Sequence, residues 1–113
     1  MTSALIFKLV STAEWRQAEV AGTFGGSAAD RRDGFIHFST AAQVRDTAAR
    51  HFHGVSGLLI VAVRIEQLPL RWEPSRGGAL FPHLYRDLPL TAVCWARPLE
   101  LGSDGQHLFP DLE

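Results

Sequence analysis

The stretch "GLLIVAVRI" (Gly57 to Ile65) leaves the chain few choices. Apolar residues fall on both parities, so an extended backbone here buries both of its faces, as the central strand of a sheet covered on two sides does. The rest of the sequence must supply strands to flank it and layers to cover it. "LIFKL" (Leu5 to Leu9) reads as a first strand and "TAVCWARPLEL" (Thr91 to Leu101) as a strong last one.

The covering layers are legible as two early helices. Ser11 and Glu14 stand at the spacing of a capping box, predicting a helix to about Ala21 with Trp15 and Ala18 facing inward and Gly22 as its stop. Thr40 and Gln43 repeat that spacing, and Ala41, Val44, Ala48 and Phe52 form a helical stripe ending near Gly54. Between them, "GTFGGSAADRRDG" has no period and reads as a loop, followed by a strand at "FIHF" (Phe35 to Phe38). "LRWE" (Leu70 to Glu73) alternates as a strand, with Leu70 and Trp72 on one face and Arg71 and Glu73 on the other. "PSRGGALFPHLYRDLP" (Pro74 to Pro89) reads as a loop with at most one helical turn, and the tail from Gly102 as loosely held. The expected architecture is α+β: two N-terminal helices packed on a mostly antiparallel β-sheet, in one domain spanning residues 1–113.

Charge narrows the partners. The net charge is −1, the arginines are scattered and Lys8 is the only lysine, so no clustered cationic surface predicts binding to extended nucleic acid. The first ten residues carry no basic leader, and their apolar run is too short for a membrane span, which predicts a cytoplasmic location. Cys94 lies in an apolar run and is expected to be buried.

Polar chemistry concentrates at "DGFIHFST" (Asp33 to Thr40). Strand periodicity sets Phe35, His37 and Ser39 on one face, opposite Ile36 and Phe38. Ser39 and Thr40 then fall at a helix N-terminus, where backbone N–H groups favour polar ligand groups. "FPHLY" (Phe81 to Tyr85) brings His83 and Tyr85 along with residues that must pack, and Glu73 ends a strand. A pocket lined by His37, Ser39, Thr40, His83 and Tyr85 follows as an expectation. The plain alternatives are a half-buried histidine with Thr40 as a cap, a solvated Glu73, and a loop merely anchored by Phe81 and Leu84. His51 and His53 point about 200° apart on a helix and do not form a metal pair, so no metal site is expected.

"IFKL", Trp15, "DGFIHFSTAAQ", "RWEP" and "FPHLY", in this order over nearly the whole chain, resemble the bacterial family known as domain of unknown function 952. That family is remotely similar to ADP-ribosyltransferase-like domains, in which NAD lies in a cleft between two small sheets. The resemblance implies a split sheet and NAD or a related nucleotide as ligand, with ADP-ribosyl transfer or NAD glycohydrolysis as the chemistry. "FIHFSTA" corresponds to the second motif and Glu73 to a third-motif glutamate, while "LIFKL" offers Lys8 where many members have His or Arg. His37, Glu73 and His83 would be catalytic, and Phe35, Ser39, Thr40, Tyr85 and Arg71 ligand-binding. Phe35 or Tyr85 would stack on nicotinamide and His37 would bond a ribose hydroxyl. A carboxylate would stabilise the positive charge that builds on the sugar as the bond to nicotinamide breaks. A dinucleotide should also gather Arg31, Arg32, Arg71 or Arg76 about its pyrophosphate. Two other classes stay open. "HFST" fits one half of a two-histidine phosphoesterase signature, although "HLY" and "HLF" lack the matching hydroxyl. The alternative without turnover is a small-ligand or protein-binding module.

Overall fold

Ser11 ends the first strand and opens the first helix. In the computed structural model, which describes residues 4–112, β1 (Leu5–Ser11) passes directly into α1 (Thr12–Ala21). The Ser11 hydroxyl accepts from the Glu14 amide at 3.1 Å and donates to the Glu14 carboxylate at 2.9 Å, and Gly22 closes the helix at φ +83°. The chain continues through β2 (Thr23–Phe24), a short α2 (Ala28–Asp33), β3 (Ile36–His37) and α3 (Val44–His51). Then come β4 (Leu58–Arg64), β5 (Arg71–Pro74), β6 (Leu80–Leu84), β7 (Leu88–Pro89), β8 (Val93–Leu101) and β9 (His107–Leu108).

The apolar run at Gly57 to Ile65 does what its pattern requires. β4 lies between β1 and β8 in an antiparallel sheet of order β1-β4-β8-β9. Val61 and Val63 face one core with Ile6, Val10, Trp15 and Ala18, while Ile60 and Ala62 face a second with Phe7, Leu9, Val44 and Ala48. One helix therefore covers each face. At about 1.5–3 kcal/mol for each fully buried Val, Ile, Leu or Phe, these two layers carry most of the stabilisation.

A second, three-stranded sheet of order β3-β6-β5 stands beside the first, and β2 pairs with β7 in a separate ribbon. The two larger sheets touch where Phe7 and Ser39 exchange backbone hydrogen bonds of 2.8 and 2.9 Å. Every ladder is antiparallel. No helix among the described residues is long and apolar enough to cross a membrane.

Several expectations need correction. Among the described residues there are three α-helices rather than two, because Ser27 and Asp30 form a full capping box and start α2 inside the stretch read as a loop. Helix α3 begins at Val44; Gln43 reaches back to the Thr40 amide at 3.0 Å, but no Thr40 side-chain cap completes the box. "FPHLY" is not a loop, since Phe81 to Leu84 belong to β6, the middle strand of its sheet. Cys94 is exposed because a β-bulge leaves it unpaired: Ala62 faces Trp95 and Val63 faces Val93. The tail is tied down, with β9 on β8, and Phe109 and Leu112 against the second core.

Candidate active site

Strand β3 is short for a chemical reason. Its register pairs Ile36 with Leu84 and His37 with His83, which would next set Phe38 against Pro82. The Phe38 amide donates to the Pro82 carbonyl at 3.1 Å, but proline has no N–H to return, and the ladder stops. His37 and His83 are thereby held side by side. Period two then gives this sheet one apolar face, with Ile36, Phe38 and Leu84 in the core, and one polar face. The polar face carries Phe35, His37 and Ser39, then Phe81, His83 and Tyr85, then Arg71 and Glu73.

Each imidazole is oriented by a carboxylate. His37 Nδ1 lies 2.7 Å from Asp30 Oδ1, and His83 Nδ1 lies 2.8 Å from Glu73 Oε1. The His37 and His83 ring centroids are 5.6 Å apart. Phe35 packs on both, at 4.5 Å and 4.2 Å, and on Tyr85 at 5.1 Å. Tyr85 donates its hydroxyl to Glu73 Oε1 at 2.7 Å. Hydrogen bonds from Tyr85 and His83 hold the Glu73 carboxyl below its ordinary pKa, and the same Glu73 bond raises the Tyr85 phenol. Glu73 is thus kept ionised.

Behind His37 lies a buried ion pair. Lys8 Nζ is 2.8 Å from Asp30 Oδ1, with both side chains almost wholly removed from solvent. Burial pushes the Asp30 carboxyl up, but the His37 hydrogen bond and the Lys8 charge outweigh it and hold the group well below the usual carboxylate range. Burial also draws the Lys8 ammonium below its ordinary value despite Asp30. His37 Nε2 stands 3.0 Å from Asp33 Oδ2, so carboxylate oxygens approach both nitrogens of this ring.

These groups open on a cleft of about 500 Å³ whose wall includes Lys8, Asp30, His37, Ser39, Phe81 and His83. Thr47 also reaches it and donates to the Gln43 carbonyl at 3.2 Å. The Ser39 hydroxyl lies 2.9 Å from the Thr47 oxygen and, like any hydroxyl, has lone pairs that can accept.

Of the residues singled out from the sequence, His37, His83 and Ser39 line the cleft. Phe35, Glu73 and Tyr85 form the cluster that backs the two rings. Thr40 starts the turn before α3, and Arg71 stacks on Tyr85 at 4.9 Å, so both stand outside the cleft wall. Arg32 lines the cleft, Arg31 borders a different hollow near Gly25, and the side chain of Arg76 lies outside the described residues. His51 reaches the cleft wall from the end of α3, while His53 lies against Gly105.

Sequence reasoning passed over Asp30, Asp33 and Thr47. Two signals pointed to Asp30. A lone lysine inside an apolar strand needs a buried carboxylate partner, and Ser27-x-x-Asp30 has capping-box spacing.

The profile of the family described as "Protein of unknown function (DUF952)" matches residues 9–96. Among solved structures, the chain resembles the crystal structure of protein CC0527 from Caulobacter crescentus at 48% identity and a TM-score of 0.88, over 92% of this chain and 93% of that one. A solution NMR structure of CC0527 matches at 49% identity and a TM-score of 0.82, over 90% of each chain. Nothing among functionally curated proteins matches. With a fold shared over nine-tenths of its length and a profile match running from β1 to β8, this chain belongs to the DUF952 family.

Proposed function

We propose that the chain binds a nucleotide of the NAD type in this cleft and breaks the bond between its ribose and nicotinamide, passing the ADP-ribosyl group to water or another acceptor. The observation that carries the reading is the set of carboxylates around the paired imidazoles: Asp30 and Asp33 at His37, and Glu73 at His83. Among the described residues Lys8 is the buried opposing charge in contact with that set, and Arg32 meets Asp33 from the surface at 3.3 Å. A cyclic phosphate between the histidines would meet like charge at Asp33 and Glu73, which argues against the two-histidine phosphoesterase. A ribosyl centre gaining positive charge, or a cationic nicotinamide ring, would be drawn to the same charge.

The remaining parts suit a ribosyl ligand. Ser39 offers an acceptor to a sugar hydroxyl, and His83, its Nδ1 committed to ionised Glu73, presents Nε2 as a base for an incoming hydroxyl. Phe81 supplies the aromatic wall, because the Phe35 ring is already covered by His37, His83 and Tyr85. The volume lies within the usual range for small-molecule sites, roughly 300–1,000 Å³. Since Arg32 is the one of these arginines that lines the wall among the described side chains, recognition centres on the nicotinamide riboside end, with the pyrophosphate at the mouth.

The test is an amide-resolved NMR titration with NAD, nicotinamide, ADP-ribose and a cyclic nucleotide, followed by chromatography for released nicotinamide. Shifts at Phe35–Ser39 and Phe81–His83 with NAD, lost in His37→Ala, are the expected result. Absence of shifts at millimolar NAD overturns the reading.

A further inference from the structure

We infer that Asp30 is a positioning residue of this site: its buried carboxylate, braced by Lys8, locks the His37 ring in the tautomer that carries its proton on Nδ1. The functional consequence rests on the reading above; the lock itself does not.

Asp30 has no spare bonding capacity facing His37. Its Oδ1 receives the His37 ring at 2.7 Å, the His37 backbone amide at 3.2 Å and Lys8 Nζ at 2.8 Å, and its Oδ2 receives the Ser27 amide at 2.9 Å. Backbone and ring of one residue therefore grip a single oxygen, which fixes the His37 side chain as a two-point chelate. An ionised carboxylate only accepts, and both ring nitrogens face one, so the single proton of the neutral ring goes to the stronger acceptor. That is Asp30, buried and 2.7 Å from Nδ1, rather than Asp33, part-exposed to water and 3.0 Å from Nε2. A carboxylate buried to 2% exposure is strongly disfavoured unless paired, and Lys8 provides that pairing from β1. In this account the sole lysine of the chain serves to keep Asp30 ionised and thus an acceptor.

The competing explanation is a brace: Lys8 and Asp30 would merely tie β1 to α2. The two differ in what happens to the His37 proton. With Asp30 absent, the Asp33 oxygen 3.0 Å from Nε2 is the acceptor within reach, and the proton should move to that nitrogen. A pure brace leaves the tautomer unchanged.

Ring ¹⁵N shifts of His37, read by long-range proton–nitrogen correlation at a pH where the ring is neutral, report the tautomer directly. The wild-type chain is expected to show the proton on Nδ1; a proton on Nε2 overturns the proposal with no variant needed. Lys8→Met/Asp30→Leu removes both charges together, the replacement a buried pair tolerates best, and should invert the tautomer. Retention of the Nδ1 proton in that variant also overturns the proposal. Asp33→Asn should leave the wild-type tautomer in place, and an inversion there would show that Asp33, not Asp30, sets it. Nicotinamide release should fall at least tenfold in the double variant. A wild-type chain that shows the lock but releases no nicotinamide would sink the NAD reading and leave the lock standing.

Discussion

His37 and His83 are direct register partners on β3 and β6, with their ring planes 70° apart and Phe35 packed against both. The ladder fixes their backbones, whereas Phe35 fixes the angle between their rings. Phe35→Ala should therefore loosen the site more than the fold. The ring is only half-buried, so its loss should cost about 2 kcal/mol, below the 3–5 typical of a core phenylalanine. Urea unfolding measures the cost, and the C2-proton resonances of both histidines should move as the ring current vanishes. A cost within error of zero, with both resonances unmoved, would contradict this arrangement.

Asp30 gives the fold an acid-sensitive element. Its carboxyl titrates lower in the folded chain than in the unfolded one, so on acidification the unfolded chain takes up the proton first. The stabilisation is complete above the ordinary aspartate value near 4 and is lost as pH falls toward the folded value, at about 1.4 kcal/mol per pH unit. Unfolding free energies from urea titrations should stay level with respect to Asp30 from about pH 6 to about pH 4 and fall with that slope from there to about pH 2 in the wild-type chain. Lys8→Met/Asp30→Leu should show a shallower dependence, retaining only what other groups such as Glu73 contribute. Equal slopes would show that Asp30 does not govern the acid limb.

What the sequence revealed, and what it hid, follows from the range of each interaction. The face shared by Phe35, His37 and Ser39 was legible because strand parity is local, and β4 because its neighbours cover both sides. β6 was hidden by Pro82, which argues against a central strand. It is tolerated here because its missing N–H falls opposite Phe38, beyond the end of the β3 ladder. α2 was hidden by its length, since six residues cannot show a period, and its one buried residue is a charged one, Asp30. The hub that Asp30 makes with Lys8, 22 residues away, is a tertiary fact that no local pattern encodes.

Cys94 illustrates the same limit and carries its own test. Its apolar neighbours point to burial, yet the bulge opposite Ala62 and Val63 puts it in solvent, with Arg64 Nη2 3.5 Å from its sulfur. A thiol-specific aromatic disulfide should label it stoichiometrically in the native chain without denaturant. Cys94→Ser should change stability by no more than about 0.5 kcal/mol, as expected of an exposed position. Labelling that requires unfolding would contradict the bulge.

Two glycines flank α2, and only one of them guards the site. Gly34 closes the helix at φ +89° with nothing within 4 Å of where a Cβ would stand. Gly26 precedes the helix at φ +106°, and a Cβ there would fall 2.9 Å from the Asp30 Cβ. Both substitutions by alanine bear the left-handed strain of about 1–2 kcal/mol. Gly26→Ala must in addition displace Asp30, and the contact is with the root of the side chain, which cannot swing aside. Its cost should therefore exceed that of Gly34→Ala by about 1 kcal/mol or more. The His37 amide, hydrogen-bonded to Asp30 Oδ1, should shift strongly in the first variant and little in the second. Equal costs and equal His37 shifts would mean that Asp30 can move without disturbing His37, and the two-point grip on that histidine would have to be abandoned.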